Sequence, residues 1–540
     1  MQHEVINTDV LVIGGGGAGS RAAYEAKRLA PNLDVLIAVE GKWGKSGSTV
    51  WKASETLGIN APLNTAADGD NPQVFLEDIV RTGLGASDPK LAAIIANESS
   101  DRINELVALG AEFDCEDGKI LQKKLSGCTR ARSLAKGGET GRTIVGVLQK
   151  AAIEKGVRVL EGIRVLDLIC TGREVWGAKA LKGKKRVDIL AKVVILATGG
   201  AGALFPHNVN HPSLRGDGYA MAYRAGATLT NMEFIQIGPG VVFPKIDFII
   251  HSHMWRFSPR LRNKQGEEFL DMYLPAGISR DEVLSLKAMS FPFSVRTDAK
   301  YVDIAMYKEI IEGRGTKNGG VYFDVNHISE SELKEKAPIT FQTFLDIGVN
   351  LHTGVIQIAP LVQNFNGGIK IDENAATNVA GLFAVGEVSG GVHGADRPGG
   401  NNLTDTQIFG YRGGRAVAEL AMKRKKTNID KITDIILTDI KENLKAIYQS
   451  MDRSLMIVRR KEHLLELLDG ISDFRRKHAI VSTETDNVLL NAEIFARAAL
   501  VREESRGTHY REDFPETRPK FAKPSLITKS SSAEMKVVLS

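Results

Sequence analysis

Short runs of apolar residues alternate with amphipathic segments along the first part of the chain. The run from Val10 to Ile13 predicts a buried β-strand, and the residues from Ala18 to Leu29 predict a helix. A second strand is expected from Asp34 to Val39. Because strands that alternate with helices form parallel sheets covered on both faces, this order predicts an α/β domain with a mostly parallel sheet.

The same alternation continues further along the chain. Helices are expected at 88–109 and 143–155, and strands at 157–160, 193–197, 368–372 and 381–387. The helix at 88–109 is predicted from apolar residues spaced three or four apart. The late strands indicate that the sheet pattern returns after a long interruption.

Changes in composition divide the chain into five regions. Residues 241–352 carry more aromatics, prolines and mixed charge without a βαβ repeat, which indicates an inserted α+β domain. The remaining regions are a sheet domain in two parts, 1–240 and 353–428, a helical domain at 429–515 and a tail at 516–540. The tail is rich in lysine and serine, so we expect it to lie on the surface or to be partly disordered.

The first strand runs into a glycine turn that is typical of dinucleotide sites. Gly14, Gly16 and Gly19 match the spacing G-x-G-x-x-G. In that pattern the glycines allow a tight turn, close approach to a pyrophosphate and helix–strand packing, and the pyrophosphate lies at the helix N-terminus. Glu40 ends the second strand, where an acid binds an adenosine ribose. A second glycine turn at 198–202 supports a dinucleotide site.

Composition and charge exclude several other classes of protein. The chain has 540 residues, of which 43% are hydrophobic and 25% are charged, as in ordinary globular proteins. The net charge of +5 is small and no basic tract occurs, so nucleic-acid binding is not expected. Cys115, Cys128 and Cys170 form no C-x-x-C pair, which argues against a metal, iron–sulfur or disulfide site.

The N-terminal sequence MQHEVINTDVL contains no apolar signal segment. No apolar run approaches the roughly 18 residues that would span a membrane. The sequence therefore predicts a cytoplasmic protein in a reducing compartment, without direct membrane insertion.

Seven segments, in their order and spacing, resemble the flavoprotein subunits of succinate dehydrogenase and fumarate reductase, with L-aspartate oxidase and adenylylsulfate reductase as relatives. They are ATGGAG (197–202), GDGYAMAYRAGATLTNMEFIQ (216–236), LRNKQGEEFL (261–270), YKEIIEGRG (307–315), GLFAVGE (381–387), HGADRPGGNNL (393–403) and EESRGTHYREDFP (503–515). The resemblance implies an α/β fold. A Rossmann-like FAD-binding domain would be interrupted by an α+β capping domain and followed by a helical C-terminal domain.

The resemblance implies FAD as the cofactor and assigns its site residue by residue. The glycine turns would seat the pyrophosphate and the adenosine end, and Glu387 would hold a ribityl hydroxyl. Amides at the helix start 401–403 would face flavin O2, where negative charge collects on reduction. The residues implied to bind FAD are Gly14, Gly16, Gly17, Ala18, Gly19, Glu40, Ser46, Gly47, Ser48, Thr49, Val165, Ala197, Thr198, Gly199, Asp217, Glu387, Asn401, Asn402 and Leu403.

One position predicts that FAD is held without a covalent bond. The respiratory members of the family carry a flavin-linked histidine in a run like RSHT, whereas this chain reads KSGST, with Ser48 at that place. Serine cannot form the histidyl bond. Non-covalent FAD is therefore expected, as in L-aspartate oxidase and adenylylsulfate reductase.

The part of the family site that binds dicarboxylates is changed. Gly238 and Gln363 replace two histidines, and the threonine–glutamate pair falls on His251 and Ser252, whereas Arg397 matches the second family arginine. Each charge-assisted hydrogen bond contributes about 1.5–3 kcal/mol, so the loss of two histidines argues against fumarate, succinate or aspartate as substrate. A small anionic substrate is expected to be bound by His251, Ser252, Gln363 and Arg397.

The arginine that acts as an acid in the family has no clear counterpart. Counting back from the YKEIIEGRG segment leads to Ala299. Arg296 fills the role only if the loop is longer, Arg280 is farther away, and the absence of any such arginine is the third alternative. Arg296 and Arg397 are the predicted catalytic residues.

Three histidines lie in segments that could carry further chemistry. Alternation along a strand would place His251 and His253, in the HSHMWRF segment, on one face, where they could form an anion or aromatic pocket. No acidic third ligand is nearby, so no metal is predicted. His393, in a glycine-rich turn, is expected to serve packing.

The predicted function is that of an FAD-dependent oxidoreductase, with hydride transfer between flavin N5 and a small anionic substrate. The resemblance also implies electron exchange with a separate iron–sulfur protein. Three alternatives stay open: an enzyme like adenylylsulfate reductase, an enzyme like L-aspartate oxidase, and a non-catalytic electron-transfer subunit of a complex. The sequence does not decide the substrate, the direction of turnover, the electron carrier or whether the chain forms an oligomer.

Overall fold

The computed structural model describes residues 3–51, 57–427, 429, 432, 434–437, 444–478, 480–532 and 534–540. The end of the second predicted sheet region at 428, positions 430, 431, 433, 438–443 and 479 of the predicted helical region, and position 533 of the predicted tail lie outside the described residues.

The helices in chain order are α1 (Gly17–Leu29), α2 (Ser48–Trp51), α3 (Pro72–Gly83), α4 (Pro89–Ala108), α5 (Thr140–Glu154), α6 (Asp217–Arg224), α7 (Ser252–Trp255), α8 (Arg280–Lys287), α9 (Lys300–Ile311), α10 (Glu330–Lys336), α11 (Pro338–Asp346), α12 (Asn401–Lys423), α13 (Lys445–Leu455), α14 (Lys461–Lys477) and α15 (Thr483–Val501). The strands are β1 (His3–Ile13), β2 (Val35–Val39), β3 (Ile59–Asn60), β4 (Cys115–Glu116), β5 (Lys119–Ile120), β6 (Gln122–Lys123), β7 (Ser133–Leu134), β8 (Arg158–Glu161), β9 (Arg164–Thr171), β10 (Glu174–Lys182), β11 (Lys185–Leu196), β12 (Leu229–Thr230), β13 (Ile235–Phe243), β14 (Arg260–Arg262), β15 (Val321–Asp324), β16 (Ile356–Phe365), β17 (Gly368–Lys370), β18 (Leu382–Ala384), β19 (Ser389–Gly390), β20 (Ser525–Lys529) and β21 (Met535–Leu539).

A seven-stranded sheet with the order β8-β2-β1-β11-β10-β9 forms the centre of the first domain, and β18 pairs with β11. β1 runs parallel to β2 and β11, and β18 runs parallel to β11. β10 is antiparallel to both β9 and β11. The predicted α/β class with a mostly parallel sheet is confirmed, and the strand after residue 380 returns to this sheet as expected.

Helix α1 packs against α12, although some 380 residues separate them in the chain. Two glycines of α12 permit this approach. A Cβ atom at Gly414 would lie 2.5 Å from the carbonyl oxygen of Ala22, and one at Gly410 would lie 2.8 Å from that of Ala18. The two helices therefore meet at backbone distance, which fixes the start of α12 beside the glycine turn that opens α1.

The inserted region has its own hydrophobic core. The four-stranded sheet β13-β16-β15-β14 supports it, and its buried residues range from Val241 to Ile358. Trp255 packs edge-on against Phe323 in this core, with ring centroids 5.5 Å apart. Because β13 and β16 pair with each other along most of their length, they connect this core to the first domain as a two-stranded stem.

Residues 516–540 were expected to lie on the surface or to be partly disordered; most of those described are exposed or half-buried, but two strands order the segment. β20 pairs with β12 in a five-stranded sheet of order β19-β17-β12-β20-β21. Ile527 is fully buried, and the Ser525 hydroxyl donates to the Glu233 carboxylate at 2.7 Å. The lysine- and serine-rich composition concealed a strand in which the alternate residues Ser525 and Ile527 are buried. β17 belongs to this sheet rather than to the large one.

No helix among the described residues is both long enough and apolar enough to cross a membrane.

Candidate active site

A large cavity opens at the carboxyl ends of β1, β2 and β11, where nucleotides bind in open α/β sheets. Its walls come from the turns after those strands, from residues 46–49, from the start of α12 and from the inserted domain. It encloses about 1920 Å³ of space, including its open mouth.

Steric clashes exclude any side chain at two glycines of the turn after β1. Gly14 has φ +110°, and a Cβ atom there would lie 2.2 Å from the carbonyl oxygen of Ala197. A Cβ atom at Gly19 would lie 1.9 Å from the carbonyl oxygen of Gly14. Gly19 therefore serves helix–strand packing, as the motif predicts, and does not line the cavity. Gly16 and Gly17 do line it, at the N-terminus of α1.

Helix α1 begins at the cavity with a residue that has no capping side chain. Gly16 is the N-cap residue and provides no side-chain hydrogen bond. The amide of Gly17 donates to the Thr49 hydroxyl at 3.1 Å, which ties the helix start to residues 46–49. A helix N-terminus favours negative charge, so this edge suits a pyrophosphate.

Two buried hydroxyls face the cavity without a hydrogen-bond partner among the described residues: Ser48 Oγ and Thr198 Oγ1. Burying a hydroxyl without a partner is unfavourable, so these atoms fit polar groups of a bound molecule. Together with the glycine turns, they fit the dinucleotide that the sequence predicts.

Three acidic residues, Glu40, Asp217 and Glu387, line this cavity. Glu40 follows β2 and forms an ion pair with Arg215. Asp217 accepts a hydrogen bond from Asn487 at 2.7 Å and lies 3.3 Å from a guanidinium nitrogen of Arg164. Glu387 accepts a hydrogen bond from the amide of Phe365 at 3.1 Å. All these carboxylates line the cavity, and arginine or amide neighbours fix their positions.

The start of α12 presents backbone amides to the cavity. Gly400, its N-cap residue, has φ +89° and makes no side-chain cap. Asn402 donates to the side-chain oxygen of Asn364 at 2.6 Å, and Leu403 also lines the cavity. Asn401 points elsewhere: its side-chain oxygen accepts a hydrogen bond from Asn60 at 2.6 Å. Its predicted contact with the cofactor is therefore limited to the backbone.

The structure thus brings most of the predicted cofactor residues together. Gly19 and Asn401 are the exceptions. The residues that line the cavity are Gly14, Gly16, Gly17, Ala18, Glu40, Ser46, Gly47, Ser48, Thr49, Val165, Ala197, Thr198, Gly199, Asp217, Glu387, Asn402 and Leu403. Their individual contacts with FAD stay predictions.

The four predicted substrate residues also line this cavity, where the inserted domain covers it: His251, Ser252, Gln363 and Arg397. The Arg397 side chain is buried, and its Nε and Nη2 donate to Gln236 Oε1 at 3.1 and 2.8 Å. Burial lowers the pKa of Arg397 to about 10, so the guanidinium is charged at neutral pH. This end of the cavity can hold an anion.

Arg296 is not among the residues that line the cavity. Its Nε donates to Asp396 Oδ2 at 2.7 Å, and Asp396 also accepts from the backbone amide of Arg397 at 2.8 Å. Arg296 lies in the loop before α9, where it pairs with Asp396 and does not face the cavity. Its predicted contact with substrate is therefore not found. Arg280 pairs with Asp271 and Glu268.

Ala299, at the counted-back position, is the buried N-cap residue of α9 and carries no acid. Neither Arg280 nor Ala299 lines the cavity. Of the two arginines considered for the family acid, Arg296 and Arg280, neither lines the cavity.

The expected strand through His251 and His253 is wrong. Residues 252–255 form the short helix α7, so the two histidines diverge. His253 Nε2 lies 3.0 Å from the Thr340 hydroxyl inside the inserted domain, whereas His251 lines the cavity. Among the described residues, no cluster of His, Cys, Asp or Glu could hold a metal ion.

His393 is buried beside Asp405 of α12, with Nε2 3.6 Å from Asp405 Oδ2. Burial lowers the pKa of this imidazole. It does not line the cavity, in line with the expected packing role.

Several residues of the cavity were not predicted. Some flank predicted ones in the chain, as Arg164, Gly216, Asn364 and Gly386 do, and an extension of each motif by one residue would have found them. Others come from segments without any motif: Leu57, Gly58, Leu125, Ser126, Phe291 and Pro292. Only the folded chain brings these segments together.

Comparison with known proteins agrees with this geometry. Residues 9–403 match the family model of an FAD binding domain, and residues 477–539 match that of the fumarate reductase flavoprotein C-terminus. The fumarate reductase (CoM/CoB) of Methanothermobacter marburgensis has one subunit that is 34% identical over 98% of this chain and 98% of its own. An L-aspartate oxidase of Clostridium perfringens is 28% identical over 75% of this chain and 85% of its own.

Solved structures share the same fold. Mycobacterium smegmatis Sdh1 superposes with a TM-score of 0.85 at 30% identity, covering 99% of this chain and 94% of that one. Adenylylsulfate reductase of Archaeoglobus fulgidus, at 18% identity, has a TM-score of 0.73 over 100% of this chain and 96% of its own, and shares the fold alone. The chain therefore belongs to the succinate dehydrogenase and fumarate reductase flavoprotein family and is an FAD-dependent oxidoreductase.

Proposed function

We propose that this chain oxidises or reduces a small organic anion that Arg397 binds beside non-covalently held FAD. The position of Arg397 carries this proposal, because its buried guanidinium opens onto the cavity that the glycine turn of α1 also lines. A charged guanidinium in such a place favours a carboxylate, which offers two acceptors in the matching geometry. The carboxylate would compensate the cost of burying the arginine charge.

The chain's own residues position and neutralise the reacting groups. Gln236 holds one edge of the Arg397 guanidinium and leaves Nη1, which otherwise contacts only the Pro398 carbonyl at 3.2 Å among the described residues, for the substrate. The N-terminus of α12 would stabilise negative charge on the reduced cofactor. When bound, FAD supplies a centre that accepts or donates a hydride. Ser252, Gln363 and His251 would line the space that the rest of the substrate occupies.

We further propose that electrons pass between this chain and a separate iron–sulfur protein, and that the chain acts in the cytoplasm. Two findings support the partner: the family to which the chain belongs, and the similarity to a protein whose name describes one subunit of a fumarate reductase. Purification from the native source, followed by iron analysis of any polypeptide that stays bound, tests this part.

The experiment for the substrate uses the purified protein with its FAD. The flavin is reduced with dithionite without oxygen, organic acids are added one at a time, and the return of flavin absorbance is recorded. Oxidised protein is tested in the opposite direction with the saturated acids, and with L-aspartate in the presence of oxygen. Reoxidation or reduction by an organic anion supports the proposal. A flavin that no organic anion oxidises or reduces contradicts it and favours an electron carrier without a substrate.

A further inference from the structure

A phenyl ring occupies the place of one missing family histidine. Gly238 stands where that histidine is expected, and a Cβ atom built on it would lie 2.7 Å from Cζ of Phe291. The Cβ atom built on residue 238 would also lie 3.5 Å from Cβ of Pro292. The space next to residue 238 is therefore filled by a side chain from a different segment, and that side chain is apolar.

The Phe291 ring is held in place from two sides. Its backbone amide donates to the Ser126 hydroxyl at 3.0 Å, which links the inserted domain to the first domain. The ring lies against the imidazole of His251, with centroids 4.9 Å apart and planes inclined by 58°. Phe291, Pro292, His251 and Ser126 all line the cavity. The ring is thus an ordered part of the wall.

The neighbouring cations are neutralised outside the cavity. Lys287 Nζ lies 5.7 Å from the centroid of the Phe291 ring, but it forms a buried ion pair with Asp303 at 2.5 Å. Arg296 is paired with Asp396. In the part of the chain that the structure describes, Arg397 and Arg164 are the arginines that line the cavity, and no lysine does. Arg164 lies at the other end, beside Asp217.

We propose that the substrate carries one carboxylate, bound by Arg397, and an apolar, planar group that packs against Phe291 and Pro292. This inference rests on the proposed function and names its substrate class. A carboxylate placed against the phenyl ring would lose its hydration and would meet neither a lysine nor an arginine there, which is unfavourable. An aromatic or unsaturated apolar group would gain contact with the ring instead. Phe291 is therefore the residue that determines specificity against dicarboxylates.

The test is equilibrium binding to the FAD-loaded protein, followed by the change in the flavin absorbance spectrum and by the melting temperature. The probes are cinnamate and crotonate as monocarboxylates, and fumarate and malonate as dicarboxylates. We expect cinnamate to bind at least about tenfold more tightly than either dicarboxylate, because one missing charge-assisted bond changes affinity by that factor or more. Equal or tighter binding of fumarate or malonate overturns the inference.

Substitutions assign the preference to the ring. Phe291→His should reduce the ratio of cinnamate to fumarate affinity by about tenfold, because it supplies a group that can bind a second carboxylate. Phe291→Leu should retain rejection of dicarboxylates while weakening cinnamate binding. Met289→Ala is the matched control, since this exposed residue of the same loop should leave every affinity unchanged. An unchanged ratio in Phe291→His overturns the assignment, and Phe291→Leu decides it if the histidine variant loses FAD.

The outcomes separate this inference from the proposed function. Reduced flavin that fumarate reoxidises, with fumarate bound as tightly as cinnamate, supports an organic-acid oxidoreductase and overturns the monocarboxylate class. Reduced flavin that no acid reoxidises, in protein that binds none of the probes, overturns both.

Discussion

The two ends of the cavity differ in how much of the wall is formed by main-chain atoms and how much by side chains. At the nucleotide end, glycine turns bring the main chain to the wall at residues 14, 16 and 17 and at the start of α12, beside a few polar side chains such as Ser48 and Thr198. At the end under the inserted domain, side chains make the wall, among them Phe291, Gln363 and Arg397. A backbone wall restricts which residues fit, whereas a side-chain wall can change its chemistry at one position without altering the fold. The cofactor site can therefore stay recognisable while the substrate site changes.

The sharpest way to break the nucleotide end is to add a side chain at Gly19. Gly19→Val would place a Cβ atom 1.9 Å from the carbonyl oxygen of Gly14, so we expect complete loss of bound FAD. FAD content after gel filtration measures this effect. Gly146→Ala, in α5 with no atom within 4 Å of the added Cβ, is the control and should gain up to about 1 kcal/mol in stability. A Gly19→Val protein that keeps its flavin would contradict the backbone account.

A substitution at the substrate end should weaken substrate binding without loss of FAD. Arg397→Gln removes the charged partner of the proposed carboxylate, so affinity for an organic anion should fall at least tenfold to a hundredfold, from about 1.5–3 kcal/mol of lost binding. FAD content should stay within error of the wild type. Arg280→Gln removes an arginine paired with Asp271 and Glu268 away from the cavity and should change neither quantity. Equal substrate affinity in Arg397→Gln would rule out this arginine as the anion site.

A smaller effect is expected from a single side chain at the nucleotide end. Ser48→Ala removes one buried hydroxyl that has no partner within the described protein. One hydrogen bond contributes about 0.5–1.5 kcal/mol, so FAD affinity should fall by up to about tenfold in a fluorescence titration. Acid precipitation should release FAD from both proteins. Flavin that stays with the precipitated wild-type chain would show a covalent bond and contradict the role of Ser48.

The smallest effect concerns pH near the start of α12. Burial lowers the pKa of His393 below its ordinary value, so below about pH 6.5 the unfolded chain takes up a proton that the native site resists. The free energy of unfolding should therefore fall as pH falls, and rise again toward neutral pH. His393→Gln should reduce this slope by at most one proton, or about 1.4 kcal/mol per pH unit. Melting temperatures from about pH 5 to pH 8 measure it.

Some of the slope should remain in the His393→Gln protein. Burial and three neighbouring arginines lower the pKa of His509 in the same direction, and that residue is unchanged in the variant. A variant with the same slope as the wild type would place the acid sensitivity entirely at other groups.

Sequence alone could predict the fold class and most of the residues that the fold gathers around the glycine turn, because both depend on patterns that a chain carries locally. The turn at Gly14 needs a residue without a side chain, and the apolar run from Val10 to Ile13 can only be buried. The strands β9 and β10 were not predicted, although they pair with each other and with β11, their neighbours in the chain. The strand β20 was not predicted because its partner β12 lies far away in the chain.

The substrate end could be predicted only in part for the same reason. The sequence identifies Gly238 and Gln363 as replacements, but nothing near Gly238 in the chain indicates that Phe291 fills its space. Likewise, the sequence offers Arg296 as an acid, and its partner Asp396 is visible only in the folded chain. The residue types show which chemical groups the chain contains. Tertiary contacts decide which of these groups are paired with a neighbouring side chain and which face the cavity.

The contact between α1 and α12 has a consequence for how the protein is made. During synthesis, the glycine turn emerges from the ribosome roughly 380 residues before the helix that must cover it. The inserted domain, with a core of its own between Val241 and Ile358, can fold in that interval, whereas the nucleotide half must wait. Contacts this distant form slowly and leave apolar surface uncovered meanwhile. Slow translation, low temperature and chaperones during expression should therefore raise the yield of flavin-loaded protein.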